Sequence, residues 1–153
     1  MNQQTNRQKK FSQKDKKGKN KDLLTLANKA KEIFLNNSDE SVYDDLLNLQ
    51  KSQQIDKVFK HIEKFVKIYA DSVTTTQLRN IYNEIVKIES IEDLKLIQPH
   101  LAYVAARQEK YNAKEFMAFI IHLVQKVNTD DELHSFKKTM EAIVAYHKFY
   151  AKN

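Results

Sequence analysis

Apolar side chains recur at spacings of three and four residues through most of this chain, and almost nothing interrupts them. Residues 74–88 show the pattern most clearly, with an apolar stripe at Leu78, Ile81, Ile85 and Ile88. Three threonines stand at the start of this segment, and threonine hydroxyls accept hydrogen bonds from the first amides of a helix. The 153 residues include one glycine and one proline, although hairpins and tight turns need glycine for positive φ angles. The sequence therefore predicts an all-α fold.

Four further segments have an apolar face with helical spacing, and they are residues 53–71, 91–108, 113–127 and 129–150. Pro99 lies inside the second of these, where we expect a kink or a new helix start because proline lacks an amide hydrogen. Tyr111 and Asn112 are predicted to form a short connection. Thr129 and Glu132 have the spacing of a capping box at the start of the last segment. Short connections favour antiparallel neighbours, so we predict a bundle of about five antiparallel helices.

Charge is distributed unevenly along the chain. The net charge is +6, but residues 1–21 hold eight basic residues and one acidic residue, so the remainder is nearly neutral. Residues 1–21 have too few apolar side chains to offset the entropy of ordering. We predict a disordered lysine-rich arm there, either a solubilising tail or a segment that attracts polyanions. Residues 22–52 are predicted as short helical segments that pack loosely or depend on a partner, and residues 53–153 as the helical bundle domain.

The sequence lacks the motifs of common catalytic and metal sites. It has no cysteine, and no two of its five histidines are three or four residues apart, so we expect neither a metal site nor a cofactor. His147 lies on an apolar stripe and is interpreted as structural, while the only glycine, Gly18, cannot build a phosphate-binding loop. No apolar run has the ~18–20 residues of a membrane span. We expect a non-enzymatic, cytoplasmic protein without a membrane partner.

Three segments carry sequence motifs that can be compared with those of a known family: residues 74–80 (TTTQLRN), 99–107 (PHLAYVAAR) and 140–150 (MEAIVAYHKFY). In this order and spacing they resemble the small all-helical subunit of type III-A CRISPR effector complexes, the Csm complexes. The resemblance implies a non-catalytic subunit of antiviral defence, stacked in several copies along a filament of backbone subunits. Its implied partners are guide RNA, target RNA, the backbone and large subunits, and further copies of itself. RNA cleavage would belong to the backbone subunit, and DNA cleavage and cyclic oligoadenylate synthesis to the large subunit.

The resemblance also implies candidate RNA-binding residues, and these are Thr75, Thr76, Arg79, Arg107, Lys137, Lys138 and Lys148. A guanidinium at the position of Arg79, early in a rigid helix, can bind two phosphate oxygens at once, and neighbouring threonine hydroxyls can assist. Two alternatives remain open at this point. One is a structural helical adaptor that contacts only protein partners, and the other is the small subunit of a type III-B complex.

Overall fold

The computed structural model describes residues 21–107 and 110–152. Within these ranges the chain is all-helical and contains no strand, which confirms the predicted fold class. The α-helices are α1 Leu23–Leu35, α2 Ser41–Asp44, α3 Ile55–Tyr69, α4 Thr75–Val86, α5 Ile91–Leu96, α6 Gln98–Ala106, α7 Tyr111–Lys126 and α8 Asp130–Tyr150. Two short 3-10 turns, Asp45–Leu47 and Leu49–Lys51, join α2 to α3. The predicted arm, apart from Lys21, lies outside the described residues.

The helix starts with the clearest sequence signals form as predicted. The Thr74 hydroxyl accepts from the Gln77 amide, and the Gln77 side chain accepts in turn from the Thr74 amide, so α4 begins with a complete capping box. Thr129 and Glu132 make the same reciprocal pair at the start of α8. Each box satisfies amides that would otherwise lack an acceptor at a helix start.

The proline also acts as predicted, whereas the start of α7 differs from the expectation. A helix ends at Leu96, and Pro99 sits in the first turn of α6, where its missing amide hydrogen breaks no helical bond. Helix α7 begins at Tyr111, so the expected connection at Tyr111 and Asn112 is already helical. Lys110 precedes it in an extended conformation, and its side chain makes no capping hydrogen bond. The sequence therefore lacks the capping residue that would indicate a helix start at this position.

Residues 22–52 pack against the bundle more closely than the sequence suggested. Phe34 of α1 meets Phe65 of α3 and Phe119 of α7, with ring centroids 5.8 and 5.5 Å away, and Phe65 and Phe119 are 4.4 Å apart. Ala27 of α1 and Ala118 of α7 are both buried, and small side chains let two helix backbones approach closely. The buried apolar side chains of this segment belong to the same core as those of residues 53–153.

The last helix, α8, is the element around which the candidate site is built. It packs against α3 and α4, and the turn Asp45–Leu47 lies on it as well. The Thr139 hydroxyl donates to the Leu46 carbonyl oxygen at 2.7 Å, in a buried environment. No helix in the described part of the chain is long and apolar enough to cross a membrane.

Candidate nucleic-acid interface

Helices α4 and α8 lie side by side in opposite directions. At one end the Thr75 hydroxyl is 3.5 Å from Nδ1 of His147, and at the other the Lys137 ammonium donates to the Val86 carbonyl oxygen at 3.4 Å. The start of α4 therefore meets the end of α8, and the end of α4 meets the first half of α8. We call the exposed border between the two helices the α4–α8 seam.

Arg79 lies on the α4 side of this seam. The buried face of α4 consists of Leu78, Ile81 and Ile85, and Arg79 is exposed. It follows Thr75 by four residues and precedes Val86 by seven, which places all three on one edge of a helix. Because Thr75 and Val86 both contact α8, Arg79 borders the seam as well.

Lys137 and Lys148 lie on the α8 side. They are eleven residues apart, close to three full helical turns, so both occupy the edge that faces α4. Lys137 is half-buried and its ammonium group lies at the carboxyl end of α4, where a positive charge stabilises the helix dipole. Lys148 is exposed near the start of α4. The structure thus brings Arg79 and Lys148 to opposite sides of one seam and gives Lys137 a structural contact.

Lys138 points away from the seam. Its ammonium group lies 3.5 Å from the Glu141 carboxylate, and both side chains are more than half exposed. An exposed ion pair of this kind contributes little to stability and exchanges readily with another anion. Lys138 therefore remains accessible on the outer face of α8, with part of its charge offset by Glu141.

The two threonines differ in their surroundings. Thr74, rather than Thr75 or Thr76, supplies the helix cap. Thr75 is half-buried against His147, whereas Thr76 is exposed. Of the two candidate hydroxyls, the structure therefore presents that of Thr76 to solvent.

Arg107 lies at the end of α6 and is not on the seam. It is exposed, and its guanidinium carbon is 5.8 Å from the centre of the Tyr103 ring. The Lys110 ammonium donates to the carbonyl oxygen of Asp71, between α3 and α4.

A row of lysines on α3 was missed by the sequence analysis. Its members are exposed and lie at spacings of three, four and three residues: Lys57, Lys60, Lys64 and Lys67. The ammonium group of Lys60 is 3.8 Å from the Glu63 carboxylate, and that of Lys67 is 5.0 Å from the centre of the Tyr150 ring of α8. The spacing is the signal that could have found the row, because it places four cations on one helix face.

The structure assigns a buried, hydrogen-bonded position to His147, as predicted. Its Nε2 atom lies 2.7 Å from the Val73 carbonyl oxygen, and the side chain is fully buried. Among the described residues, no group of three or more histidine, aspartate or glutamate side chains is arranged to hold a metal ion.

Comparison with known proteins gives one family. The family model described as Csm2 Type III-A matches residues 50–153, more than half of the chain. This range contains α3 to α8 and all seven candidate RNA-binding residues, and it leaves α1 and α2 outside. Neither the curated proteins nor the solved structures that were searched gave a match.

Proposed function

The chain belongs to the Csm2 family of type III-A CRISPR systems, and from this premise we propose that it binds the phosphate backbone of guide and target RNA and stabilises the effector filament. Membership of this family makes it a small subunit of a type III-A Csm complex. The family match therefore favours type III-A over the type III-B alternative.

The observation that carries the proposal is the position of Arg79 on α4 and of Lys148 on α8, on the two sides of the α4–α8 seam. Both side chains are exposed, while the helices beneath them are joined by buried contacts. A guanidinium can bind two phosphate oxygens in a fixed geometry, and an ammonium group adds a point charge beside it. Thr76 adds an exposed hydroxyl in the first turn of α4, and Arg107 and Lys138 add exposed positive charges outside the seam.

The proposed role is non-catalytic. Guide–target base pairing supplies the sequence specificity of such a complex, so this subunit contacts phosphates and duplex shape rather than base edges. Its further partners are the backbone and large subunits and other copies of itself, in the cytoplasm. Several copies along one RNA gain affinity from their shared strand even when each binds weakly.

The salt dependence of RNA binding tests the proposal. If Arg79, Arg107, Lys138 and Lys148 each engage one phosphate of single-stranded RNA, the slope of log affinity against log salt is about −2.8. Replacement of any one of them by alanine should weaken binding and reduce the slope by about 0.7. Arg79→Lys keeps the positive charge but loses the guanidinium group that can bind two phosphate oxygens at once. It should bind RNA less tightly than the wild-type chain, with an unchanged slope.

A matched control is Lys51→Ala, which removes the same charge from an exposed position in the turn before α3. It should leave the slope and the affinity nearly unchanged. A flat wild-type slope, or retention of RNA by an assembled complex that carries both Arg79→Ala and Lys138→Ala, would contradict the proposal. The chain would then act as an adaptor that contacts only protein partners.

A further inference from the structure

Phe149 is the most exposed large apolar side chain in the described part of the chain, with 79% of its surface accessible. It lies in the last turn of α8, and the buried stripe of that helix runs through Phe136, Met140, Ile143 and His147. Phe149 is outside that stripe, so its position is not explained by the core.

The ring of Phe149 is backed by a fixed neighbour. Its centroid is 4.9 Å from that of Tyr150, and the two planes meet at 73°, an edge-to-face arrangement. The Tyr150 hydroxyl donates to the Glu63 carboxylate at 2.8 Å, and the Lys67 ammonium lies 5.0 Å from the Tyr150 ring centre. Two contacts thus hold Tyr150 against α3, and the ring of Phe149 packs on Tyr150.

Positive charges flank this pair on both sides. Lys148 occupies the α8 edge that faces α4, while Lys67 belongs to the lysine row on α3. Phe149 lies between these two edges on the outer face of α8. The Glu63 carboxylate accepts a hydrogen bond from the Tyr150 hydroxyl and lies 3.8 Å from the Lys60 ammonium group.

We propose that Phe149 is a stacking platform for an unpaired base of the bound RNA, with the Lys148 ammonium group on a neighbouring phosphate and Lys67 holding the Tyr150 ring behind it. An exposed aromatic ring between cations is the arrangement that binds single-stranded nucleic acid, since every base has a face that can stack. This inference rests on the proposed function and adds a base contact to a surface otherwise assigned to phosphates. A second copy of the chain or another protein is the competing occupant, but it would not need a cation on each side.

The test uses the full chain and two RNA probes of equal length, a short oligouridine and the same ribose-phosphate strand without bases. Phe149→Ala should weaken oligouridine binding by roughly 5- to 150-fold, the effect of one lost stack. It should leave binding of the abasic strand and the salt slope unchanged. Phe149→Trp should keep oligouridine affinity, whereas Phe149→Leu, which retains apolar area without a ring, should lose it. Leu96→Ala removes a similarly exposed apolar side chain from α5, with 74% of its surface accessible. This control should not change the affinity for either RNA probe.

Three results would overturn the inference. In the first, Phe149→Ala lowers the affinity for both probes equally or for neither. In the second, Phe149→Leu binds oligouridine as well as the wild type does. In the third, Phe149→Ala alters self-association in sedimentation instead of RNA affinity. The first two remove the stacking role while a normal salt slope leaves the proposed function intact. The third assigns Phe149 to contacts between copies. A wild-type chain without a salt slope would remove both proposals together.

Discussion

Nε2 of His147 lies 2.7 Å from the carbonyl oxygen of Val73, and both residues are buried. Because a carbonyl oxygen can only accept, Nε2 carries a hydrogen and donates it to Val73, while Nδ1 lies 3.5 Å from the Thr75 hydroxyl. One imidazole thus joins the last turns of α8 to the residues that lead into α4. This contact helps to hold together the two helices that carry Arg79 and Lys148.

Two substitutions of His147 should distinguish the energetic contribution of its hydrogen bonds from that of its packing. His147→Leu keeps most of the volume but leaves the buried Val73 carbonyl without a donor, which costs roughly 1–3 kcal/mol. For a domain of this size, we expect the Tm to fall by roughly 2–12 °C. His147→Gln retains a donor and should recover part of the loss. Thermal unfolding followed by circular dichroism measures both, and equal Tm values for His147→Leu and the wild type would show that the contact has no energetic weight.

Phe34→Ala tests whether α1 belongs to the common core. The ring packs against Phe65 and Phe119, and removal of a buried phenylalanine side chain costs about 3–5 kcal/mol. We expect a large fall in Tm within a single cooperative transition, in calorimetry as well as in circular dichroism. Leu24→Ala, on the exposed side of α1, is the control and should change the Tm little. A second, separate transition would show that residues 22–52 unfold independently.

Thr74→Ala should destabilise α4 through its first turn. Loss of a threonine cap typically costs about 0.5–2 kcal/mol, because the Gln77 amide loses its acceptor. Thr74→Ser keeps the hydroxyl and should retain most of the stability. Thr76→Ala changes an exposed threonine of the same helix that does not supply the cap, and chemical denaturation should give it a nearly wild-type free energy of unfolding. Equal losses for Thr74→Ala and Thr76→Ala would contradict the capping role.

His122 should make stability depend on pH in a defined direction. Burial lowers the pKa of His122; a hydrogen bond with Gln125 opposes this shift, and the ammonium groups of Lys126 and Lys31 add to it. The folded state therefore favours the neutral ring, and the unfolded state binds a proton first as the pH falls. The stabilisation is complete above the unfolded pKa of about 6.5 and is lost as the pH decreases toward the lowered folded value.

We accordingly expect the Tm to fall as the pH decreases below about 6.5, and to fall less in His122→Phe, which cannot titrate. The phenyl ring can keep the stacked contact with Tyr43, whose ring centroid is 6.4 Å from that of His122. Melting curves of both chains across this range provide the measurement. An equal fall in the two chains would assign the pH dependence to other groups.

The fold could be predicted where its signals are local. The caps at Thr74 and Thr129 sit within four residues of their partners, and the break at Pro99 is a property of one residue. The packing of α1 could not be read in this way, because Ala27 meets Ala118 from a helix far along the chain. The sequence around a small buried residue does not indicate which residue it will pack against. The packing of α1 in the core could therefore not be predicted from the sequence.

The candidate site was predictable to a similar degree. The exposure of Arg79 follows from the apolar stripe on the other side of α4, which is visible in the sequence. The bond from Lys137 to the Val86 carbonyl oxygen depends on how α4 and α8 are aligned, and no spacing reports that. The lysine row on α3 has a spacing signal, but an ordinary solvated helix face has the same one.

The buried imidazole of His147 also bears on how fast a ligand can be captured. It fixes the backbone immediately before Lys148 and Phe149 and immediately before α4, so the ordering of these segments is complete once the chain has folded. When an RNA strand binds this surface, only side chains of the protein have to become ordered, because the helices are already formed. Association should then be limited by encounter and charge steering, and differences in affinity among variants should appear mainly as differences in dissociation rate.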